Sequence, residues 1–551
     1  MEPQASPLWT TRTTLDRKTG TWRDAIPDYR TLPSPCLGAC PVNGHIADWI
    51  GHIRKQEYHA AWLVLMDNNP FPAIAGRICH HPCETACNRQ YLDESISICA
   101  LERFVGDMAL AKDWSLPSSD LVKKEKVAVV GAGPAGLSAA YQLRRRGLQV
   151  TLFESQNQLG GLMRYGIPAY RLEKRVLDGE IQRILDLGVI VEHRPITTQQ
   201  QLEQLQNSFD AIYLATGAAR SKTLPVLDYA KPWVIDSVEF LATTNANKSH
   251  PTGQHLIVIG GGSAAMDVAR TARRLGKSVT VLTLEPAGHL PAQHTEVEEA
   301  LEEGIRFVSG AMLQQVNEQT DGLELTCIEV EFTAGYRKGE FTIKPKSGTA
   351  FTLKANAIVP SIGQDANYAI WGESFKAQGP ILKTGSDWQT EKKGIFAGGD
   401  LASMERFVTH AVGMGKQAAA AIAHYLEGQS PTSDEKTVAA VSIDTINTYY
   451  YPQQDRIDQQ KLPSRQRLQN FDEVQQPLQE VQAEAEAIRC FSCGTCIYCD
   501  NCYAYCPDMA ITKLEKGYAI KSDYCKGCGL CVAECPTGSI VMQKEYEEIT
   551  Q

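Results

Sequence analysis

The sequence lacks an apolar run long enough to cross a membrane, and it lacks an excess of basic residues. Its longer apolar stretches, such as residues 127–141, contain glycines and are shorter than the 18 or more residues of a membrane span. The first 30 residues contain charges and prolines and lack the apolar core of a secretory signal. The net charge of −10 excludes a basic surface for a nucleic-acid backbone. We therefore expect a cytoplasmic protein with no membrane span and no nucleic-acid partner.

Cysteine is nearly absent from the middle of the chain. Of 17 cysteines, six lie between Cys36 and Cys99, ten lie between Cys490 and Cys535, and Cys327 stands alone between the two groups. In a reducing compartment, clustered cysteines are expected to be metal ligands or thiols rather than disulfides. The middle has no Cys-x-x-Cys pair, which excludes the thiol relay that disulfide reductases use.

A glycine-rich turn near residue 131 has the context of a dinucleotide site. The β-branched run Lys126–Val130 precedes Gly131-x-Gly133-x-x-Gly136, and a helix is predicted over Leu137–Arg146. The glycines allow a pyrophosphate to approach the helix N-terminus. Glu154, at the end of the next predicted strand (Val150–Glu154), would accept a hydrogen bond from a ribose 2′-hydroxyl. Because Gly394–Asp400 resembles the second flavin motif of two-dinucleotide flavoproteins, this first site is interpreted as an FAD site.

A second strand–turn–strand pattern begins at residue 255 and indicates a nicotinamide site. It consists of the predicted strand His255–Ile259, the turn Gly260-x-Gly262-x-x-Ala265 and the predicted strand Val279–Leu284. Glu285 follows this strand, and a carboxylate there suits a free 2′-hydroxyl and repels a 2′-phosphate. NADH is therefore favoured over NADPH, although Arg273 and Arg274 on the preceding helix weaken this inference.

The C-terminal cysteines form two copies of the bacterial ferredoxin run, in which the fourth cysteine of each run ligates the other cluster. One [4Fe–4S] cluster would use Cys496, Cys499, Cys502 and Cys535, and the other Cys525, Cys528, Cys531 and Cys506. Zinc also binds Cys-x-x-Cys pairs, but it does not explain two complete runs that each end in Cys-Pro. Cys490 and Cys493 extend the first run upstream, and we leave open whether they are spare ligands or buried thiols.

The N-terminal cysteines lie in a segment with helical periodicity over Asp48–Asn68 and Ser97–Asp113. Cys36-x3-Cys40-Pro41, Gly76-Arg-Ile-Cys79-x3-Cys83-Glu-x2-Cys87 and Ser97-Ile-Cys-Ala-Leu-Glu102 resemble the cysteine domain of the glutamate synthase small-subunit family. Gly160–Pro168, Ala215–Gly217, Gly260–Asp267 and Gly398–Asp400 extend the resemblance to about residue 426. Within that family the chain most resembles the NAD(P)H:acceptor oxidoreductases that carry a C-terminal ferredoxin domain.

The resemblance implies a carboxylate-ligated N-terminal cluster held by Cys40, Cys79, Cys83 and Glu102. Family members with two N-terminal clusters have a further Cys-x2-Cys upstream, and no cysteine precedes Cys36 here. Cys36 and Cys87 would then be remnants of the missing site, although either could replace a ligand, and Glu102 could be an ordinary helix charge. With the ferredoxin pair this predicts three [4Fe–4S] clusters, or about twelve irons. Single histidines such as His80, His81, His289 and His294 are interpreted as packing or surface residues.

The motifs and the resemblance together predict the residues that contact the two nucleotides. For FAD these are Gly131, Gly133, Pro134, Ala135, Gly136, Glu154, Gly161, Leu162, Thr216, Gly217, Gly399, Asp400 and Ala411. For NAD(H) they are Gly260, Gly262, Ser263, Ala264, Ala265, Glu285 and Gly363.

The predicted fold is an α/β core of two nested Rossmann-like domains with an all-α Fe–S domain before it and an α+β bacterial-ferredoxin-like domain after it. The segments are an N-terminal domain with an extended arm (1–119), the FAD-binding halves (120–254 and 366–427), the NAD(P)-binding domain (255–365), a linker on the surface (428–486) and the ferredoxin-like domain (487–551).

The predicted activity is an NADH-oxidising flavoprotein that passes single electrons through its clusters to a partner redox protein, in either direction. No side-chain acid, base or nucleophile is required, because the cofactors carry the chemistry. Two alternatives are a glutamate synthase small subunit, which the ferredoxin tail disfavours, and a non-catalytic Fe–S docking subunit. Homo-oligomerisation is left open.

Overall fold

The computed structural model describes residues 18–117, 122–248, 250–335, 340–372, 375–429 and 438–545. Among these residues, no helix is both long enough and apolar enough to cross a bilayer.

The N-terminal part consists of one strand followed by a helical domain. Its elements are β1 (Ala25–Tyr29), α1 (Pro35–Ala39), α2 (Ile46–Ile53), α3 (Tyr58–Asn68), α4 (Pro72–Ile78), α5 (Pro82–Thr85) and α6 (Ile98–Ala111). The first predicted helix is interrupted between α2 and α3, where Gln56 has a φ of 60°. Trp49 and Trp62 are buried in the core. Helices α4 and α6 pack closely because Gly76 has no side chain. A Cβ at this position would lie only 2.3 Å from the Arg103 nitrogen.

The middle of the chain alternates strands and helices. Its first half contains β2 (Lys126–Val130), α7 (Pro134–Arg145), β3 (Gln149–Glu154), α8 (Leu162–Tyr165), α9 (Lys174–Leu185), β4 (Ile190–His193), α10 (Gln199–Ser208), β5 (Ala211–Leu214), β6 (Arg220–Ser221) and α11 (Ser237–Asn245). There follow β7 (His255–Ile259), α12 (Ser263–Arg274), β8 (Ser278–Thr283), α13 (His294–Glu302), β9 (Arg306–Ser309), β10 (Ala311–Gln319), β11 (Gly322–Ala334), β12 (Phe341–Pro345), β13 (Phe351–Ala355) and β14 (Ala357–Pro360). The last elements are β15 (Gln364–Asp365), β16 (Ala377–Gln378), β17 (Ile381–Leu382), β18 (Ile395–Ala397) and α14 (Val408–Leu426).

Two parallel sheets confirm the predicted nesting. The first has the order β18-β5-β2-β3-β4, and the second has the order β14-β7-β8-β9. Since β18 returns to the first sheet after the second sheet is complete, the second domain is inserted into the first. Both glycine turns follow an inner strand of their sheet, β2 or β7, at the carboxyl ends of the strands where α/β folds bind dinucleotides.

The last part of the chain contains short elements. They are α15 (Ser464–Arg467), α16 (Glu480–Ile488), α17 (Asn501–Ala504), β19 (Ile511–Lys513), β20 (Tyr518–Ile520), α18 (Leu530–Ala533) and β21 (Ile540–Lys544). Strand β21 pairs antiparallel with β1, so that Tyr29 lies opposite Ile540. The extended arm, which the sequence assigned to the N-terminal domain, therefore forms a sheet with the end of the ferredoxin-like domain.

Part of the predicted linker is docked firmly on the N-terminal domain. The Glu473 carboxylate accepts hydrogen bonds from Arg77 Nε and Arg103 Nη2, both at 2.6 Å. The fully buried Glu486 on α16 accepts from the backbone nitrogens of Ser97 (2.8 Å) and Ile457 (2.9 Å). Since buried carboxylates are stable only with such partners, these contacts hold α16 in one position against α6.

Candidate cofactor and electron-transfer site

The first glycine turn, between β2 and α7, is shaped to bind a pyrophosphate. Gly131 has a φ of +104°, and a Cβ there would lie 2.4 Å from the Ala215 oxygen. A Cβ on Gly133 would meet nothing closer than the Gly161 Cα at 4.0 Å, so space remains in front of the helix N-terminus. The buried Glu154 accepts a hydrogen bond from the Ala132 nitrogen at 2.9 Å, which places its carboxylate beside the turn.

The other predicted FAD residues lie around this turn. Thr216 and Gly217 follow β5, Gly399 and Asp400 follow β18, and Ala411 is buried in α14. A Cβ on Gly399 would lie 2.9 Å from that of Ala135 in the first turn of α7. Gly161 and Leu162 begin α8 on the opposite side of the turn. The structure thus brings residues from three separate segments to one edge of the first sheet.

The second glycine turn, between β7 and α12, has the same construction. Gly260 has a φ of +133°, and a Cβ there would lie 2.3 Å from the Ser361 oxygen. A Cβ on Gly262 would meet no atom within 4 Å, which leaves open space before Ser263, the first residue of α12. Gly363 follows the neighbouring strand β14 with a φ of +99°. This space can hold a second pyrophosphate.

Glu285 lies beside the second turn. A Cβ built on Gly261 would be 3.0 Å from Glu285 Oε2. Gly261 stands between the first two glycines of its turn, as Ala132 does in the first turn, and Ala132 is the residue that Glu154 contacts. Each carboxylate therefore lies beside the middle residue of its turn, although Glu285 comes two residues after Thr283, the residue that corresponds to Glu154 in strand register.

Arg273 and Arg274 lie at the opposite end of α12 and are engaged in structural contacts. Arg274 is buried and forms an ion pair with Glu303 at 2.6 Å. Arg273 donates to the carbonyl oxygens of Glu303 (3.1 Å) and Lys277 (2.7 Å). Both arginines are thus oriented away from the N-terminal glycines of the helix.

An ion-pair group that the sequence did not reveal joins the two nucleotide domains. Arg171 of the first domain contacts Asp267 and Glu296 of the second, each at 2.8 Å. Burial raises the pKa of Asp267 to about 6, while Arg171 opposes this rise. The contact positions α12 against the first domain.

The N-terminal domain contains a cavity of about 430 Å³ beside the first nucleotide domain. Its potential metal ligands are Cys40, Cys79, Cys83 and Glu102. The close packing of α4 and α6 brings Cys79, which follows α4, near Glu102 on α6. Thr409 of α14 also lines the cavity and lies 3.5 Å from Cys79 Sγ. Three thiols and one carboxylate in an apolar cavity fit the iron–sulfur cluster that the resemblance implied.

Glu102 and Cys99 complete the surroundings of this cavity. Burial, with the nearby Cys79, raises the pKa of Glu102 to about 8, and Asn69 Nδ2 donates to Glu102 Oε1 at 2.8 Å. A carboxyl group in such a position becomes a ligand when metal binding removes its proton. The buried Cys99 thiol lies next to the sulfurs of Cys79 and Cys83 and raises the number of thiols at this cavity to four. From the sequence, Cys99 is recognised only as part of the Ser97–Glu102 motif and is assigned no role.

The two ferredoxin runs come together in the C-terminal domain. A cavity of about 280 Å³ is lined by Cys496, Cys499, Cys502 and Cys535, together with Tyr29 of β1. Cys506 and Cys528 both lie near Cys525, and Cys528 also lies near Cys531. The structure therefore groups the cysteines as the crossed ferredoxin pattern predicts. Cys528 of this group and Cys499 of the first group are exposed, so both groups reach the protein surface.

Cys36 and Cys87 do not line the Cys40–Glu102 cavity. They line a separate cavity together with Cys490 and Cys493. Among the histidines, the ring of His80 stacks on that of Phe407 at 3.9 Å, which is a packing role.

Three family models match the chain. Residues 125–418 match the pyridine nucleotide-disulphide oxidoreductases, residues 30–114 the 4Fe-4S domain II of dihydropyrimidine dehydrogenase, and residues 518–541 a 4Fe-4S binding domain. The chain is 31% identical over 504 residues to the NADP(+)-dependent formate dehydrogenase subunit beta of Moorella thermoacetica, covering 84% of this chain and 71% of the relative. It is 30% identical over 505 residues to the NADPH-Fe(3+) oxidoreductase subunit beta of Geobacter sulfurreducens, covering 84% and 75%.

A third relative is the NAD-dependent dihydropyrimidine dehydrogenase subunit PreT of Salmonella typhimurium. It is 33% identical over 399 residues, covering 72% of this chain and 91% of the relative. These matches confirm an oxidoreductase that uses FAD, a nicotinamide nucleotide and [4Fe–4S] clusters, and the relatives are subunits of larger enzymes. The chain belongs to the pyridine nucleotide-disulphide oxidoreductase family, in the branch of iron–sulfur flavoprotein electron-transfer subunits.

Proposed function

We propose that this protein oxidises NADH and delivers single electrons to a partner redox protein, with reversal when the partner is the stronger reductant. The observation that carries the proposal is the contact between the N-terminal cysteine cavity and the flavin domain. Thr409 belongs to the helix that follows the flavin motif, and it lines the same cavity as Cys79. This arrangement supports electron flow from the flavin site into the iron–sulfur domains.

The groups bound at these sites supply hydride transfer from nicotinamide to flavin and one-electron transfer through iron–sulfur clusters. The chain binds and orients them. Glu154 and Glu285 are placed to accept hydrogen bonds from the ribose hydroxyls, and the glycine turns hold the pyrophosphates. Arg171 holds the two nucleotide domains together. The proposal needs no proton-transferring or nucleophilic side chain.

The preference for NADH is part of the proposal, because the relatives differ in their nucleotides. It rests on Glu285 beside the turn and on the engagement of Arg273 and Arg274 elsewhere. A partner subunit is proposed because the relatives are named as subunits of larger enzymes. We do not propose a substrate for that partner. We do propose that the protein works in the reducing cytoplasm.

Gly262→Ala should weaken NADH oxidation without disturbing the fold. The backbone at Gly262 has a φ of −86° and an open Cβ position, so alanine fits the protein itself. The added methyl group would occupy the space that the pyrophosphate needs, and an overlap of this kind costs about 1–3 kcal/mol. We expect kcat/KM for NADH with ferricyanide as acceptor to fall roughly tenfold or more, with unchanged FAD content.

The matched control is Gly51→Ala. Gly51 lies in α2, remote from both nucleotide turns, and its Cβ position is also open. This variant should retain the wild-type rate. If anaerobic NADH fails to bleach the flavin absorbance of the wild-type protein, the chain is a docking subunit and the proposed function is wrong. If Gly262→Ala is as fast as wild type, NADH binds elsewhere.

A further inference from the structure

Six cysteines lie outside the ligand sets described above, and four of them face one another. Cys36 lies in α1, Cys87 follows α5, and Cys490 and Cys493 follow α16. All four line one cavity of about 360 Å³. We propose that Cys36, Cys87, Cys490 and Cys493 bind a fourth [4Fe–4S] cluster.

The cavity is apolar and enclosed by the protein core. Ile46, Ile50, Ile96, Ile98 and Phe491, all buried, line it together with the cysteines. A cubane cluster is held by four cysteine thiolates, and a hydrophobic shell around it limits access of water. This cavity provides both features.

Hydrogen bonds reach the sulfurs of Cys36, Cys490 and Cys493. Asn88 Nδ2 lies 3.6 Å from Cys493 Sγ, the Ser492 nitrogen lies 3.4 Å from Cys490 Sγ, and Ser34 Oγ lies 3.1 Å from Cys36 Sγ. Hydrogen bonds to ligand sulfurs orient the thiolates and adjust the potential of a cluster. Arg89 also lines the cavity, and its guanidinium is held there by an ion pair with Asp93.

The spread of the sulfurs favours a cluster over a single zinc ion. Zn–S bonds of about 2.3 Å in a tetrahedron bring the sulfurs to within about 3.8 Å of one another. Within the described part of the chain, no three of these four sulfurs lie within 4.8 Å of each other. The same holds for the cysteines of the ferredoxin-like domain.

The position of this site deepens the proposed function, on which this part of the inference rests. Ile46 and Ile98 line both this cavity and the Cys40–Glu102 cavity, so the two are adjacent. On the other side, Tyr451 donates to the carbonyl oxygens of Phe491 (3.0 Å) and Pro536 (3.2 Å). Pro536 lines the Cys496–Cys535 cavity. A cluster here would connect the N-terminal cluster to the ferredoxin-like domain.

Metal analysis of anaerobically purified holoprotein tests the proposal directly. Four [4Fe–4S] clusters correspond to about sixteen irons per chain, and three correspond to about twelve. We expect about sixteen irons and no zinc, with all iron in cubane form by Mössbauer spectroscopy. About twelve irons in a protein with full FAD content, or one zinc in addition to about twelve irons, would overturn the proposal.

The double variant Cys490→Ala/Cys493→Ala locates the fourth cluster. It should lose about four irons, while Cys327→Ala, which removes a buried cysteine in β11, should lose none. An unchanged iron count in the double variant would contradict the assignment. If that variant loses FAD and does not fold, Cys36→Ala on the opposite wall serves instead, and the wild-type count remains decisive.

Electron transfer separates this inference from the proposed function. In the double variant NADH should still bleach the flavin, whereas reduction of the ferredoxin clusters, followed by electron paramagnetic resonance after rapid freezing, should slow at least tenfold. If NADH does not bleach the flavin of the wild-type protein, the proposed function is wrong, but the iron count still tests the fourth cluster. Unchanged ferredoxin reduction in a variant lacking four irons would refute the connecting role.

Discussion

Cys528→Ala should block electron delivery to a protein acceptor while NADH continues to reduce the flavin. Cys528 is exposed and belongs to the group of Cys506, Cys525 and Cys531 in the ferredoxin-like domain. Loss of a ligand removes this cluster from the electron path, whereas the nucleotide turns lie in other domains. Mutation of residues that only support the ligands of a metal site lowers metal affinity or activity by about 10–100-fold. We therefore expect NADH-driven reduction of cytochrome c to fall by at least that factor.

Stopped-flow flavin bleaching and cytochrome c reduction should be measured on the same preparation. Cys327→Ala is the matched control, because it removes a cysteine that lies in none of the four cysteine groups. Loss of flavin bleaching in a folded Cys528→Ala protein would contradict the proposed wiring. Unchanged cytochrome c reduction would show that electrons leave by another route.

Glu285→Arg should shift the nucleotide preference from NADH to NADPH. The 2′-phosphate of NADPH adds about −1.5 to −2 charges. At about 4 Å and an effective dielectric constant near 20, one carboxylate repels one such charge by about 4 kcal/mol. Screening that leaves a quarter of this energy, about 1 kcal/mol, still gives roughly a fivefold preference. Arginine at this position would instead pair with the phosphate.

The ratio of kcat/KM for NADH and NADPH, measured with ferricyanide, checks this expectation. Glu285→Gln is the control that removes the charge without adding a cation, and its ratio should lie between those of the wild type and Glu285→Arg. If the wild type uses NADPH as well as or better than NADH, Glu285 does not face the ribose. Arg273 and Arg274 would not explain that result, because they lie at the far end of α12 and contact Glu303.

The patterns that sequence reasoning recognised correctly are short and local. The strand Lys126–Val130 and the strand His255–Ile259 have the predicted bounds, and each leads directly into its glycine turn. A strand, a turn and a helix N-terminus are consecutive in the chain, so their spacing alone specifies a dinucleotide site. The ferredoxin runs are local in the same sense, because three ligands of each cluster lie within seven residues.

The nucleotide preference depends on contacts that spacing does not reveal. In the sequence, Arg273 and Arg274 precede Glu285 by only twelve and eleven residues, so spacing alone would allow them to reach the same nucleotide. In the structure both arginines contact Glu303. Arg274 is buried and therefore needs the Glu303 carboxylate as a counterion. The predicted preference for NADH is therefore supported by the orientation of these two arginines, which lie away from the nucleotide turn.

By itself, the sequence determined the two glycine turns and the two ferredoxin runs, because each is encoded in one continuous stretch. The nesting of the nucleotide domains followed from the flavin motif at Gly394–Asp400, which lies beyond the second turn. Only the tertiary structure decided the partners of Cys36 and Cys87. These cysteines meet Cys490 and Cys493, about 400 residues away, because the buried Glu486 holds α16 against the N-terminal domain. The pairing of β1 with β21 brings the two ends of the described chain together in the same way. Such contacts arise from burial and hydrogen bonding between distant segments, and local spacing carries no information about them.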